Sequence, residues 1–296
     1  MKFIDASDIH LRFKKPRCRK DVDWMETQKN ILNQVARASE EYDCPILIPG
    51  DIFNSSIVPE AVINMFLEFC KQTSQDILFI AGNHDLLEHS MEKLNDSSIG
   101  VLFKVRELGT SRLVPFEKYG KTFSYANFGE EIHNPGGEIL VIHQLVFPEG
   151  FKLPIDNIVT APDILKIYPE YKWIITGDCH IPYVYKNKGR YVINAGHLNI
   201  QKNNELDPPR MYFVDTDNEI VEEIMIEDDL ELIDDEYIKK SEDREDRLEA
   251  FVELIETRSD VSLSFEDNIE LALLENKDVL EKETVKVIRE LMRVEE

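Results

Sequence analysis

The chain has 296 residues, 43% of them hydrophobic, and a formal net charge of −24. This length supports one large domain or one domain with an appendage, and no apolar stretch approaches the ~18 residues that a membrane span needs. Four cysteines with no Cys-x-x-Cys pair argue against a disulfide framework or a zinc ribbon, and the acidic balance argues against a surface coated in phosphate-binding cations.

In chain order, a first apolar run at residues 3–6 stops at Asp8-Ile9-His10. Asp5 and Asp8 also interrupt any secretory leader, so the N-terminus reads as that of a cytoplasmic protein. A basic loop follows directly, with Arg12, Lys14, Lys15, Arg17, Arg19 and Lys20. Residues 24–41 place Ile31, Leu32, Val35 and Ala36 on one face, the 3.6 period of a helix packed on a sheet. The run at 46–48 stops at Gly50-Asp51. Pro59 then opens a second helical stretch to residue 71, carrying Val62, Met65, Phe66 and Phe69. A third run at 77–81 stops at Gly82-Asn83-His84-Asp85.

From about residue 110 the texture changes to shorter strands and turns. The run at 139–142 stops at His143, and the run at 173–176 stops at Gly177-Asp178-Cys179-His180. Asn187-Lys188-Gly189 and Thr216-Asp217-Asn218 each separate two short apolar segments and predict hairpins. The expected fold is an α/β sandwich, two sheets inside and helices outside, over residues 1–226. Residues 227–240 read as an acidic linker and 241–296 as a helical segment. Residues 216–296 hold 29 acidic and 10 basic side chains, so most of the net charge lies there. The apolar stripes Leu248, Phe251, Val252, Ile255 and Val285, Ile288, Met292 on that acidic background suit packing within the chain, a homodimer, or a helix-in-groove contact.

Five apolar runs that each end in Asp, Asn or His imply five strand ends converging on one polar site, since ligands of such sheets bind beyond the carboxyl ends of strands. Two metal ions about 3.5–4 Å apart need a bridging carboxylate and several N or O ligands from separate elements, and such a pair serves phosphoryl chemistry. The imidazole and carboxylate set suits two divalent ions, manganese foremost, with magnesium, iron(II) or zinc as alternatives.

The ordered series Asp-x-His, Gly-Asp, Gly-Asn-His-Asp, His and Gly-x-x-His over roughly residues 1–215 resembles the calcineurin-like metallophosphoesterase superfamily. The resemblance implies that Asp8, His10 and His180 hold one metal, that Asn83, His143 and Asp178 hold the other, and that Asp51 bridges them. It implies that His84 orients or protonates the scissile phosphodiester and that Asp85 fixes the His84 imidazole. The last motif departs from the usual Gly-His-x-His, with Asp178 standing for the first histidine. Within the superfamily, the segments at 7–11 and 50–56 resemble the SbcD-type DNA repair nucleases and their phage-encoded relatives. Asn54 then stands where some members carry a substrate-facing histidine. His197 stands at a serine position and reads as a substitute ligand, a phosphate contact or a surface histidine.

The resemblance implies a two-metal DNA exonuclease and endonuclease of repair or recombination, with an SMC-like ATPase partner of the SbcC type docking on the C-terminal helices. The basic loop after His10 fits phosphate tracking through counterion release. The alternatives are a small-molecule phosphodiesterase or phosphoprotein phosphatase of the same fold, and a non-catalytic scaffold that binds DNA or a partner.

Overall fold

The computed structural model describes residues 1–151, 158–201, 207–228 and 232–234. The expected helical segment at 241–296 and most of the acidic linker lie outside the described residues. Among the described residues, ten strands form two mixed five-stranded sheets flanked by helices, as the sequence predicts.

The first sheet is built from β1 (Lys2–Asp5), β2 (Ile46–Ile48), β3 (Ile77–Phe79), β9 (Arg210–Asp215) and β10 (Ile220–Met225), in the order β10-β9-β1-β2-β3. Its three parallel strands are the three apolar runs that end in ligand-type residues. The second sheet has β4 (Phe123–Ala126), β5 (Ile139–His143), β6 (Trp173–Gly177), β7 (Tyr183–Asn187) and β8 (Arg190–Asn194), in the order β4-β5-β6-β8-β7. Here β4, β5, β6 and β8 run parallel, and only β7 is antiparallel.

Strand side chains alternate between two faces. Phe3, Leu47 and Leu78 of the first sheet therefore meet Ile139, Val141, Trp173 and Ile193 of the second in a fully buried core between the sheets. The opposite face of the first sheet, with Ile4, Ile46, Ile48 and Phe79, packs on α1 (Trp24–Tyr42), α2 (Glu60–Phe69) and α3 (Ile99–Leu108). The opposite face of the second, with Leu140, Ile142, Ile174 and Val192, packs on α4 (Ala161–Ile167). The result is a helix–sheet–sheet–helix order of layers. Among the described residues, no helix is long and apolar enough to cross a membrane.

Both predicted hairpins form. Lys188 (φ 50°) and Gly189 (φ 76°) make the two-residue turn between β7 and β8, with both residues left-handed as a type I′ turn requires. Helix α1 starts where Asp23 accepts a hydrogen bond from the Glu26 amide, and it ends in left-handed Asp43.

The loop after His10 corrects one expectation. Arg19 was expected among the phosphate-tracking cations, but its side chain is wholly buried in a double ion pair. Its Nε and Nη2 donate to Asp21 at 2.8 and 2.9 Å, and its Nη1 and Nη2 donate to Asp228 at 2.6 and 2.8 Å. It thus clamps the loop to the chain that leaves β10. Lys15 donates to the Asp21 carbonyl at 2.7 Å and Lys20 stands 3.5 Å from Asp234. Lys14 and Arg17 are exposed, with no hydrogen bond or ion pair among the described residues. Removing one partner of a buried pair strands the other's charge. Arg19→Ala should therefore cost about 3–5 kcal/mol of folding stability, measured by urea denaturation of the full chain.

Candidate metal centre

Each ligand-type residue sits at or just past the carboxyl end of a strand. Asp8 (φ 49°), His10 (φ 49°), Asp51 (φ 52°) and Asp178 (φ 78°) all occupy the left-handed region. That region is uncommon for residues with a Cβ and costs of order 1–3 kcal/mol each. Four such positions meeting in one place mark a site held in shape by its surroundings. Asp8 and His10 follow β1, Asp51 follows β2, Asn83 and His84 follow β3, His143 ends β5, and Asp178 and His180 follow β6.

Two groups of side chains bring ligand atoms within 4.8 Å of one another: Asp8, His10 and His180, and Asp8, Asp51 and His143. The first is the expected first ligand set. In it, His10 Nε2 and His180 Nε2 point at each other across 3.1 Å, and each lies 3.8 Å from Asp8 Oδ1. The Asp51 carboxylate faces both sides. Its Oδ2 is 3.5 Å from His10 Nε2, and its Oδ1 is 3.5 Å from His143 Nε2. On the second side, Asn83 Oδ1 lies 2.9 Å and Asp178 Oδ1 4.0 Å from His143 Nε2. All seven expected ligands are thus brought together. Asp178 is the most exposed of the carboxylates and lies outside the two tightest groups. Its backbone N–H, however, donates to both oxygens of Asp8, at 3.1 and 3.2 Å.

Three glycines make this packing possible. A Cβ on Gly82 would collide with the Asp51 carboxylate, and one on Gly50 or Gly177 would collide with the His143 ring. The His143 ring is anchored as well: Nδ1 donates to the Pro49 carbonyl at 2.8 Å, which aims Nε2 at the centre.

The electrostatics fit divalent cations. Burial pushes the Asp8 carboxyl up to about 6, against the pull of His143 and His180. Burial also pushes Asp85 up to about 7, helped by the Asp51 charge. Asp5, at the end of β1, is raised by burial and by Asp8, and neither of its oxygens has a hydrogen-bond partner. For Asp51, burial is outweighed by His143, His10 and His84, and its pKa falls well below the usual carboxylate range. His143 is raised despite its burial, chiefly by Asp51. Asp51 Oδ2 is buried without a hydrogen-bond partner. Carboxylates and imidazoles converging on a buried, orphaned oxygen form a donor set suited to manganese, iron or zinc.

Asp85 differs from expectation. Its carboxylate does not reach the His84 ring. Oδ1 accepts from the Phe53 amide at 2.8 Å, and Oδ2 accepts from Gly82 at 2.9 Å and Ile52 at 3.3 Å. It therefore ties the turn after β3 to the turn after β2 and so positions Asp51. The His84 ring is held instead by the Asn54 carbonyl, 3.1 Å from Nδ1, and its backbone N–H donates to Asp51 Oδ1 at 3.0 Å.

Beside the centre lies a cleft of about 300 Å³, part of it open to solvent, lined by His10, Arg12, Asn54, His84, His180, His197, Asn199 and Gln201. Arg12, Asn54 and His197 are thus placed at the site, whereas Arg19 is not. His197 Nδ1 lies 3.0 Å from the His180 carbonyl, so this residue supports a ligand's backbone. Asn199 and Gln201 were not singled out in the sequence. They donate to the carbonyls of Ile9 and His10, at 3.0 and 2.9 Å. Their alternation with Leu198 and Ile200 after Gly196 was the available signal.

A family model described as calcineurin-like phosphoesterase matches residues 1–279. Among solved structures, the chain is similar to a novel archaeal phosphodiesterase at 14% identity and a TM-score of 0.38, over 76% of this chain and 99% of that one. It is similar to a single mutant of Vps29 from Entamoeba histolytica at 12% identity and a TM-score of 0.35, over 76% and 99%. A predicted phosphoesterase from Streptococcus pneumoniae follows at 13% identity and 0.34, over 76% and 97%. No curated protein matches the chain.

Two outcomes test the centre. Gly82→Ala should cost about 1–3 kcal/mol through overpacking against Asp51 and weaken manganese binding, read by calorimetry. The pH dependence has a defined sign. Asp8 and Asp85 are raised above their unfolded values, so the folded state binds more protons than the unfolded one. Their contribution is complete below about pH 4 and is lost as pH rises through about 6 and about 7. The EDTA-treated chain should accordingly lose thermal stability between about pH 4 and 7, while manganese affinity should rise over the same interval. A melting temperature that climbs across that range would contradict the assignment.

Proposed function

Because the chain belongs to the calcineurin-like phosphoesterase family, with the family model matching residues 1–279, we propose that it is a two-metal phosphodiesterase acting on DNA, an exonuclease and endonuclease of repair or recombination. The observation that carries the two-metal reading is Asp51, whose two oxygens stand at the same 3.5 Å from an imidazole of each ligand group. The motif resemblance to SbcD-type nucleases supports DNA as the substrate. So do the exposed Lys14 and Arg17, in the same loop as Arg12, which lines the cleft. Manganese is the preferred ion in this reading.

Bound metals would hold the phosphate, lower the pKa of a bound water, and steady the attacking and leaving oxygens. The chain's own groups do the rest. Asp51 and Asp8 set the spacing of the two ligand groups. His84 lines the cleft with Nδ1 anchored on the Asn54 carbonyl, so Nε2 is the atom available to the departing oxygen. The apolar stripes of residues 241–296 support docking on an SMC-like ATPase subunit of the SbcC type, with a homodimer as the alternative.

A second reading, a small-molecule phosphodiesterase, is favoured by one observation: four of the six loop cations are engaged within the chain, Arg12, Lys15, Arg19 and Lys20. Cleavage of oligonucleotides with Mn2+, Mg2+ or EDTA, compared with cleavage of bis-p-nitrophenyl phosphate, separates the two. The nuclease reading expects metal-dependent DNA cleavage. His84→Ala should lower kcat by about 10²–10⁴-fold while metal binding persists. DNA cleavage untouched by that change would sink the assigned role, and cleavage of the small diester alone would establish the second reading.

A further inference from the structure

The cleft beside His84 contains a cation that no acid neutralises. Arg12 lies two residues past His10 and is half-buried on the cleft wall. Its side chain makes two long hydrogen bonds, Nη1 to Asn54 Oδ1 at 3.3 Å and to Gln201 Oε1 at 3.4 Å, and both acceptors are neutral amides. Its Nε is buried without a partner. No carboxylate pairs with it among the described residues. Arg19, seven positions on, shows the contrast: it is buried too, but two carboxylates surround it. A desolvated guanidinium is stable when paired, and its planar fork matches a phosphate's oxygens.

The cleft also has a direction. His10 and His180, of one ligand group, line it, whereas Asp51, Asn83, His143 and Asp178 do not. The cleft therefore offers one ester arm of a phosphodiester at the centre a path past His84 towards Arg12. Gln201 fixes the far end, since it accepts from Arg12 and donates to the backbone carbonyl of His10. The guanidinium is thereby held in register with a ligand, not left on a free loop.

We infer that Arg12, oriented by Asn54 and Gln201, forms a subsite for a second phosphate carried on the ester arm next to the scissile one. The enzyme would then select substrates with consecutive phosphates over isolated diesters. This rests on the phosphodiesterase reading and adds a substrate requirement to it.

The test uses the full chain with Mn2+ and three substrates: the dinucleoside monophosphate TpT, its 5′-phosphorylated form pTpT, and the trinucleotide TpTpT. The wild type should favour pTpT, TpTpT or both over TpT by ~10- to 100-fold in kcat/KM, the range of one charge-assisted hydrogen bond. Preference for pTpT alone assigns the subsite to a terminal phosphate, and preference for TpTpT alone assigns it to an internucleotide one. Arg12→Gln should bring the ratio close to one, mainly through KM, and Arg12→Lys should restore part of it. A second readout needs no turnover: thymidine 3′,5′-bisphosphate titrated calorimetrically into the EDTA-treated chain should bind more tightly to wild type than to Arg12→Gln. Equal kcat/KM for all three substrates, a preference that survives Arg12→Gln, or equal binding of the bisphosphate overturns the subsite. Hydrolysis of TpT with no preference leaves the phosphodiesterase reading standing. Hydrolysis of neither these substrates nor bis-p-nitrophenyl phosphate overturns both.

Discussion

Three neighbouring buried carboxylates set the terms for this structure. Asp8, Asp51 and Asp85 are each at most 1% exposed, and Asp5 lies fully buried behind them. Like charges cannot share so small a dry volume without compensation. The chain compensates by degrees: Asp8 and Asp85 titrate high, whereas Asp51 stays ionised among His10, His84 and His143. The strained backbone at four ligand positions, the glycines beneath them and the anchored His143 ring all serve to hold this charge arrangement. A centre of this kind suits divalent cations because of what its own folding imposes on it.

The same logic extends outward by polar bonds to the backbone. Gln28 of α1 exchanges two hydrogen bonds with the Arg12 main chain, both at 2.9 Å. The His10 and Leu11 amides bond the Asp51 and Ile52 carbonyls, at 2.9 and 2.8 Å. Asn199 and Gln201 hold the Ile9 and His10 carbonyls from the segment after β8. The stretch from Ile9 to Arg12 is irregular but bonded from several sides, so the protein alone holds its side chains in place. An acidic chain can then keep a locally cationic cleft, because the cleft's charge is set by a few fixed groups and not by the molecule's net charge.

Much of this was legible in the sequence because strand runs and ligand residues are coupled by position. An apolar run that ends at Asp or His reports both a strand and where its end lies. The two glycine- and asparagine-marked hairpins were legible for the same local reason. Helices α3 and α4 and strand β4 were less so: α3 holds Lys104 and Arg106 amid its apolar residues, α4 is seven residues long, and β4 is four residues with no motif attached. The partner choices of polar side chains were not legible. Asp85 follows His84 directly, yet its carboxylate bonds the amides after Asp51. Arg19 sits in a run of cations, yet it is neutralised by Asp21 nearby and by Asp228, far away in sequence. Proximity along the chain suggested one set of partners, and the folded backbone supplied another.

Asp178 shows how such a site can vary. The chain grips Asp8 through the Asp178 amide, and a backbone amide is present whatever residue occupies the position. The side chain, partly exposed and outside the two tightest ligand groups, carries none of that grip. Position 178 therefore separates two tasks: its backbone amide anchors Asp8 whatever the side chain, so the charge that the Asp178 carboxylate brings to the centre is independent of that anchor.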